Sequence, residues 1–180
     1  MRTITTHRGS HAGFTLTEIL VTIAIIAVIA GIAIPVVRSG VARSRQAACL
    51  VKLRDIGVAL ESYLQEHNNI MPALQAGRPS KAADVPVLEN TLNAYLTNED
   101  AFHCPADGEQ FAKSGSSYLW NPTQNGQSKL NLKFFGFEAD PTRIPLITDK
   151  EAWHPGANGS NILYADYSAS REVRFVTSNP

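Results

Sequence analysis

Apolar positions fall along the chain in three regimes. Residues 14–37, FTLTEILVTIAIIAVIAGIAIPVV, are apolar at nearly every position. At about 1.5 Å of rise per residue they would make a helix of roughly 36 Å, enough for a hydrocarbon core about 30 Å thick. In residues 38–66 the apolar positions thin to Val41, Leu50, Leu53, Ile56, Leu60, Tyr63 and Leu64, separated largely by three or four residues, with Arg43, Arg54, Glu61 and Gln65 between them. That period predicts an amphipathic helix with one buried face. Together the two segments read as one helix from Phe14 to Glu66, with Gly31, Pro35 and Gly40 as its weakest points. Asn68, Asn69 and Pro72 end it.

Residues 67–180 follow a different pattern. Residues 75–86 are rich in Gly, Pro, Ser and Ala and read as loop. Within residues 84–97, Val87, Leu88, Leu92, Tyr95 and Leu96 give a short helical pattern, opened by Asp84 near the cap and Pro86 in the first turn. Short apolar segments between turn residues then predict strands at 118–120, 130–137, 144–148, 162–165 and 172–176. The last two would form a terminal hairpin around residues 166–171. Four or so antiparallel strands laid over the amphipathic half of a long helix would bury both apolar faces, so the fold class is α+β.

The long apolar run carries one charge, Glu18. An acid inside a spanning helix costs about 2.5–3.5 kcal/mol on insertion scales, which is offset when a partner meets it. At the membrane interface, one turn into the helix, it would instead favour the positive helix end. The preceding residues, MRTITTHRGSHAG, hold Arg2, His7, Arg8 and His11 and no acid, a short positive leader expected to stay cytoplasmic. A secretory signal places its apolar core before the cleavage site, whereas here the Gly13–Phe14 junction comes first. A cut at that junction would remove only the leader, keep the whole apolar helix and expose an amine at Phe14, four residues from Glu18. Arg38, Arg43, Arg45, Lys52 and Arg54 follow the run with no acid before Asp55. The positive-inside rule alone would place that segment in the cytoplasm, but the leader and junction are the more specific signal. The basic run reads as a solvated helix face or as a contact for lipid headgroups or an acidic face of a neighbouring subunit.

Gly13-Phe14-Thr15-Leu16-Thr17-Glu18 followed by a long apolar run resembles the class III signal of type IV pilins and type II secretion pseudopilins. The resemblance implies a pilin-like fold in four parts: a leader at 1–13 removed by a prepilin peptidase, a transmembrane and polymerisation helix at 14–37, its amphipathic continuation at 38–66, and a globular α+β domain at 67–180. Gly13 and Phe14 would be the processing site, with the new terminal Phe14 methylated. Phe14, Glu18 and Pro35 match the family's assembly positions, Glu18 neutralising the amine of an adjacent subunit and Pro35 bending or locally melting the helix. Residues 153–173, WHPGANGSNILYADYSASREV, are similar to the C-terminal end of many bacterial pilin-like proteins, in which a histidine precedes a strand and an Asp-Gly turn. Tyr167 stands in place of that glycine, and His154 receives no role.

Other chemistry is sparse. Cys49 on the long helix and Cys104 in FHCPADG would be able to pair outside the cytoplasm, provided that their Cα atoms come within about 7 Å. His67, His103 and His154 with Cys104 lack a compact zinc spacing. Asp140, Asp149 and Asp166 lie in or beside C-terminal loops, and major pseudopilins carry a calcium loop near that end. Without an EF-hand spacing these aspartates read equally as turn formers. No other cofactor is expected. Trp120, Trp153 and Tyr167 would make a sugar platform or part of the core. No Gly-x-Ser-x-Gly elbow occurs, so an enzyme is not expected. Zero net charge and a pI near 7.0 give no sign of a nucleic-acid partner, and none is expected.

These observations point to a pseudopilin of a type II secretion system, single-pass in a bacterial inner membrane, its leader cytoplasmic before processing and its C-terminal domain periplasmic. Its expected partners are a prepilin peptidase, like and unlike pseudopilin subunits, the inner-membrane secretion platform and membrane lipid. A type IV pilus subunit for adhesion, motility or DNA uptake shares the leader. A membrane-anchored binding module that does not polymerise is the remaining alternative.

Overall fold

The computed structural model describes Gly13 and residues 15–174; residues 1–12, Phe14 and residues 175–180 lie outside the description. The chain divides into two compact units, Met1–Gly40 and Val41–Pro180. Helix α1 runs Leu16–Glu66, 51 residues, and stays helical through Gly31, Pro35 and Gly40, so the turn at the proline is not melted, although Pro35, lacking an N–H, omits one backbone bond. It ends where Asn68 and Asn69 adopt left-handed conformations, at φ 53° and 59°, and the Asn69 N–H closes onto the Leu64 carbonyl at 2.8 Å. Asparagine tolerates that conformation better than most side chains, which is why the helix stops here.

In the second unit the buried face of α1 comprises Gln46, Cys49, Leu53, Ile56, Gly57, Ala59, Leu60 and Leu64. Val41 is exposed and Leu50 half-buried, so the face begins later than the apolar period alone predicts and includes a glutamine and a cysteine. Gly57 faces strand β5, where an added Cβ would lie 3.3 Å from Leu163 and from Tyr167.

Six strands follow: β1 (Tyr118–Trp120), β2 (Lys133–Phe134), β3 (Phe137–Glu138), β4 (Pro145–Asp149), β5 (Ile162–Tyr164) and β6 (Ala169–Ser170). An antiparallel sheet of order β1-β4-β5-β6 shares one core with the α1 face: Tyr118, Trp120, Leu146, Ile147 and Leu163 cluster with Cys49, Leu53, Ile56, Leu60 and Leu64. Two short helices complete the domain, α2 (Leu88–Leu92) and α3 (Gln110–Ser114). The fold is α+β and is consistent with a pilin-like fold.

Three local expectations are corrected. The segment 130–137 is not one strand: a 3-10 turn at Lys129–Asn131 leads into a small hairpin of β2 and β3, reversed at Phe135 and Gly136 with φ of 51° and 85°. Gly136 accepts a positive φ freely, and a two-residue reversal of this kind suits the twist of paired strands. The terminal hairpin forms, but its second strand is Ala169–Ser170; residues 172–174 are in no strand, and 175–176 fall outside the described residues. The reversal is tighter than expected because Tyr167 itself takes the left-handed conformation, at φ 62°, while the Tyr164 N–H reaches the Ser168 carbonyl. Helix α2 starts after Val87, with no side-chain cap from Asp84.

Leu53 is fully buried on the α1 face. Leu53→Ala is expected to lower stability by about 2–5 kcal/mol, measured as the urea midpoint of the full chain in detergent. A loss below about 0.5 kcal/mol, the scale of an ordinary surface substitution, would show that this face is not packed.

Candidate functional site

The chemistry found in the sequence resolves into two places, the exposed start of α1 and a buried cluster in the second unit. At the first, every residue from Leu16 to Val41 is exposed except the half-buried Ala30. Leu16 is 82% exposed and Ile32 67%, although this is the segment that is long and apolar enough to cross a membrane. An apolar surface of that extent is left in water by no stable soluble domain; it is covered by lipid or by other chains.

Glu18 sits at the tip of this segment. Its Oε2 accepts from both the Thr15 backbone N–H and the Thr15 hydroxyl, each at 2.8 Å, and the Thr15 Oγ1 accepts from the Glu18 N–H at 3.3 Å. This reciprocal pair is a capping box that satisfies donors left open at the helix start. The Ser/Thr-x-x-Glu spacing in Thr15-Leu16-Thr17-Glu18 carried that signal in the sequence, alongside the assembly motif. The two uses are compatible. Thr15 keeps its backbone N–H after a cut at Gly13–Phe14, and the exposed carboxylate can accept a further donor. Gly13 lies ahead of α1 and is exposed; Phe14 falls outside the described residues; Pro35 is exposed within the helix.

The basic run is mostly solvated: Arg38, Arg43, Arg45 and Arg54 are exposed, while Lys52 is half-buried and its ammonium donates to the Asp100 carbonyl. Farther along α1, Glu61 accepts from the Lys129 ammonium and from the Tyr167 hydroxyl at 2.6 Å. Lys129 foremost, then Tyr167, hold the Glu61 carboxyl below its ordinary pKa. The left-handed tyrosine in the terminal turn is thereby tied to the helix.

In the core, Cys49 of α1 and Cys104 form a disulfide with a Cα–Cα distance of 5.1 Å, and both are fully buried. The loop carrying Cys104 is fixed by Asp107. The Asp107 carboxylate accepts from the N–H groups of Glu109, Gln110 and Phe111 at 2.7–2.8 Å and from the Ser117 hydroxyl at 2.6 Å. The same Ser117 Oγ accepts the Cys104 N–H at 2.9 Å. Burial alone would raise the Asp107 pKa; the Ser117 hydroxyl and the three backbone donors outweigh it and leave it below the ordinary value.

Beside the disulfide, His154 Nε2 stands 3.4 Å from Cys104 Sγ and 3.3 Å from Asp149 Oδ2. Asp149 Oδ2 also accepts the Asn161 N–H at 2.6 Å, and Gln46 reaches the Pro155 carbonyl at 3.3 Å. Sequence spacing alone misses this cluster, since Cys104 and His154 are brought together only by the sheet. The other candidates are dispersed. His67 stacks on Tyr63 and His103 on Phe111. Asp140 caps the 3-10 turn Pro141–Arg143, and Asp166 shapes the terminal turn by accepting from Ser168. Asp140, Asp149 and Asp166 form no metal-sized group among the described residues. Trp120 is buried, with its indole N–H on Asn125 at 2.7 Å, and so offers no face to a sugar.

Residues 8–34 match the family model of the prokaryotic N-terminal methylation motif, the prepilin-type cleavage and methylation signal of type IV pilin-like proteins. None of the curated proteins and none of the solved structures matches the chain. The motif implies processing by a prepilin peptidase and assembly with pilin-like subunits, and it agrees with membrane anchoring by α1.

Because the folded Asp107 pKa is lowered, its contribution to stability is present above the unfolded carboxylate value of about 3.9 and is lost as pH falls through the folded value. Asp107→Asn is therefore expected to cost about 1–3 kcal/mol at pH 7. In urea titrations of parent and variant, that gap should narrow as pH is lowered below about 3.9, where the unfolded parent takes up a proton that the folded carboxylate still resists. An equal gap at both pH values would contradict the carboxylate's role.

Proposed function

We propose that this chain is a pseudopilin of a type II secretion system. In this reading a prepilin peptidase cuts after Gly13 and methylates Phe14, and the mature chain stays anchored in the inner membrane with residues 67–180 on the periplasmic side. It then leaves the bilayer into a short filament built through residues 14–37. The observation that supports its filament-building part is the coincidence of the methylation motif with an exposed apolar helical segment that has a carboxylate at its tip.

The mechanism is mechanical. In the membrane, lipid covers the apolar surface of α1; in the filament, the equivalent helices of neighbouring subunits take its place. Little hydrophobic free energy separates the two states, since lipid tails and leucine side chains are similarly apolar. Close packing and polar pairs therefore decide the balance. Ala27 and Gly31, one turn apart and free of contacts at the glycine, allow close helix approach. Glu18 supplies the polar pair by meeting the Phe14 amine of an adjacent subunit while still capping its own helix.

Removing one partner of an ion pair that is out of water costs about 3–5 kcal/mol, so Glu18→Ala should reduce filament yield at least tenfold. Membrane insertion and cleavage should be unchanged, because neither depends on the carboxylate once the apolar run is intact. Sheared filaments and membrane-bound monomer would be quantified from the native host. Equal filament yield from variant and parent would rule out the pairing. Deleting the chain should stop protein export while leaving surface pili in place; the reverse pattern would instead assign it to a pilus.

A further inference from the structure

Cys49, Cys104, His154 and Asp149 converge from three segments of the second unit: α1, the Cys104 loop and the stretch 149–154 at the end of β4. The two sulfurs and the imidazole nitrogen lie within 4.8 Å of one another. Donors sharing a tetrahedral zinc ion, with Zn–S about 2.3 Å and Zn–N or Zn–O about 2.0–2.2 Å, stand roughly 3.3–3.8 Å apart. The separations from His154 Nε2 to Cys104 Sγ, 3.4 Å, and to Asp149 Oδ2, 3.3 Å, are of that size. The cluster also carries buried polar atoms without partners: Asp149 Oδ1, His154 Nδ1 and Asn161 Nδ2. Such atoms are uncommon in a packed core and require an explanation. Asp149, 3.3 Å from the imidazole nitrogen that faces Cys104, thus keeps a free carboxylate oxygen, donor capacity that a disulfide cannot use.

We propose that before the disulfide forms, Cys49, Cys104, His154 and Asp149 hold one divalent ion of the zinc class, and that the disulfide later replaces it. On binding, each of the two thiols releases its proton to water as its sulfur takes the ion. On oxidation, a disulfide-bearing carrier is attacked by one of the two sulfurs, giving a mixed disulfide; the other sulfur then displaces the carrier. Two electrons pass from the cysteines to the carrier, which leaves as a dithiol after taking up two protons, and the ion is released. Metal and disulfide are alternative staples between the same points, 55 residues apart in sequence. The first would hold α1 to the Cys104 loop while the sulfurs are still reduced, because metal binding to a folded site contributes directly to folding free energy. His154 serves both forms, as ligand in one and as neighbour of Cys104 Sγ in the other. This inference is independent of whether the chain builds a secretion filament or a pilus.

The test is cobalt(II) titration of the full chain in detergent, oxidised and phosphine-reduced, without oxygen. The reduced chain should bind one cobalt per chain, with thiolate-to-metal charge-transfer bands in the near ultraviolet and the intense visible bands of tetrahedral cobalt, both removed by zinc. The oxidised chain should show neither. Asp149→Asn, which removes a ligand and so costs no less than loss of a group that only orients one, should weaken binding at least about tenfold, and His154→Gln at least as much while changing the visible bands. The comparison of reduced and oxidised parent chains needs no variant and stands if a variant fails to fold. A reduced chain without charge-transfer bands would overturn the proposal, as would a folded His154→Gln chain that binds cobalt with the parent's affinity and spectrum.

Discussion

One face of α1, from Cys49 through Leu53, Ile56 and Leu60 to Leu64, is the surface on which the second unit is built. Strands of two to five residues such as those of this sheet cannot stand alone in water. They hold because the side chains on their inner face, Tyr118, Trp120, Ile147 and Leu163, share a core with that helix face. The polar features around it serve the same contact. The disulfide ties the Cys104 loop to α1, Glu61 gathers Lys129 and Tyr167 onto it, and Gly57 removes the Cβ that would crowd Leu163. Without the sheet, that face would leave its apolar side chains exposed, as they are over residues 16–37.

The earlier part of the same helix obeys the opposite constraint. No described residue of its own unit covers it, so its apolar surface calls for a solvent of another kind or for other chains. The capping box at Thr15 and Glu18 gives that helix a well-formed start at the place where the methylation motif positions the processed end. In the proposed filament, local helix chemistry and assembly chemistry therefore converge on one carboxylate. Its position need not be understood as a choice between the two.

Much of this was legible in the sequence for physical reasons that can be named. The helix ran to Glu66 as its period required, since 3.6-residue spacing is a local property and two asparagines suited to left-handed backbone follow it. Strands of two or three residues leave too little alternation to fix their bounds, which is why the segment around Phe135 and Gly136 read as one strand and is a hairpin. The turn at Tyr167 was obscured because a tyrosine occupies a conformation usually given to glycine, held by its hydroxyl bond to Glu61. The cluster of Cys49, Cys104, Asp149 and His154 was the least legible. Its members are scattered along the chain, and only strand pairing and the helix face bring them together.

The function proposed for this chain requires that the leader be removed ahead of α1 and that the apolar helix remain on the mature chain. Intact-mass and N-terminal peptide mass spectrometry on the membrane fraction of the native host tests it most directly. The account predicts a mature chain that begins at Phe14, carries one methyl group on its terminal amine and retains residues 14–37. A chain that keeps Met1 to Gly13, or one that has lost the apolar segment, would contradict it.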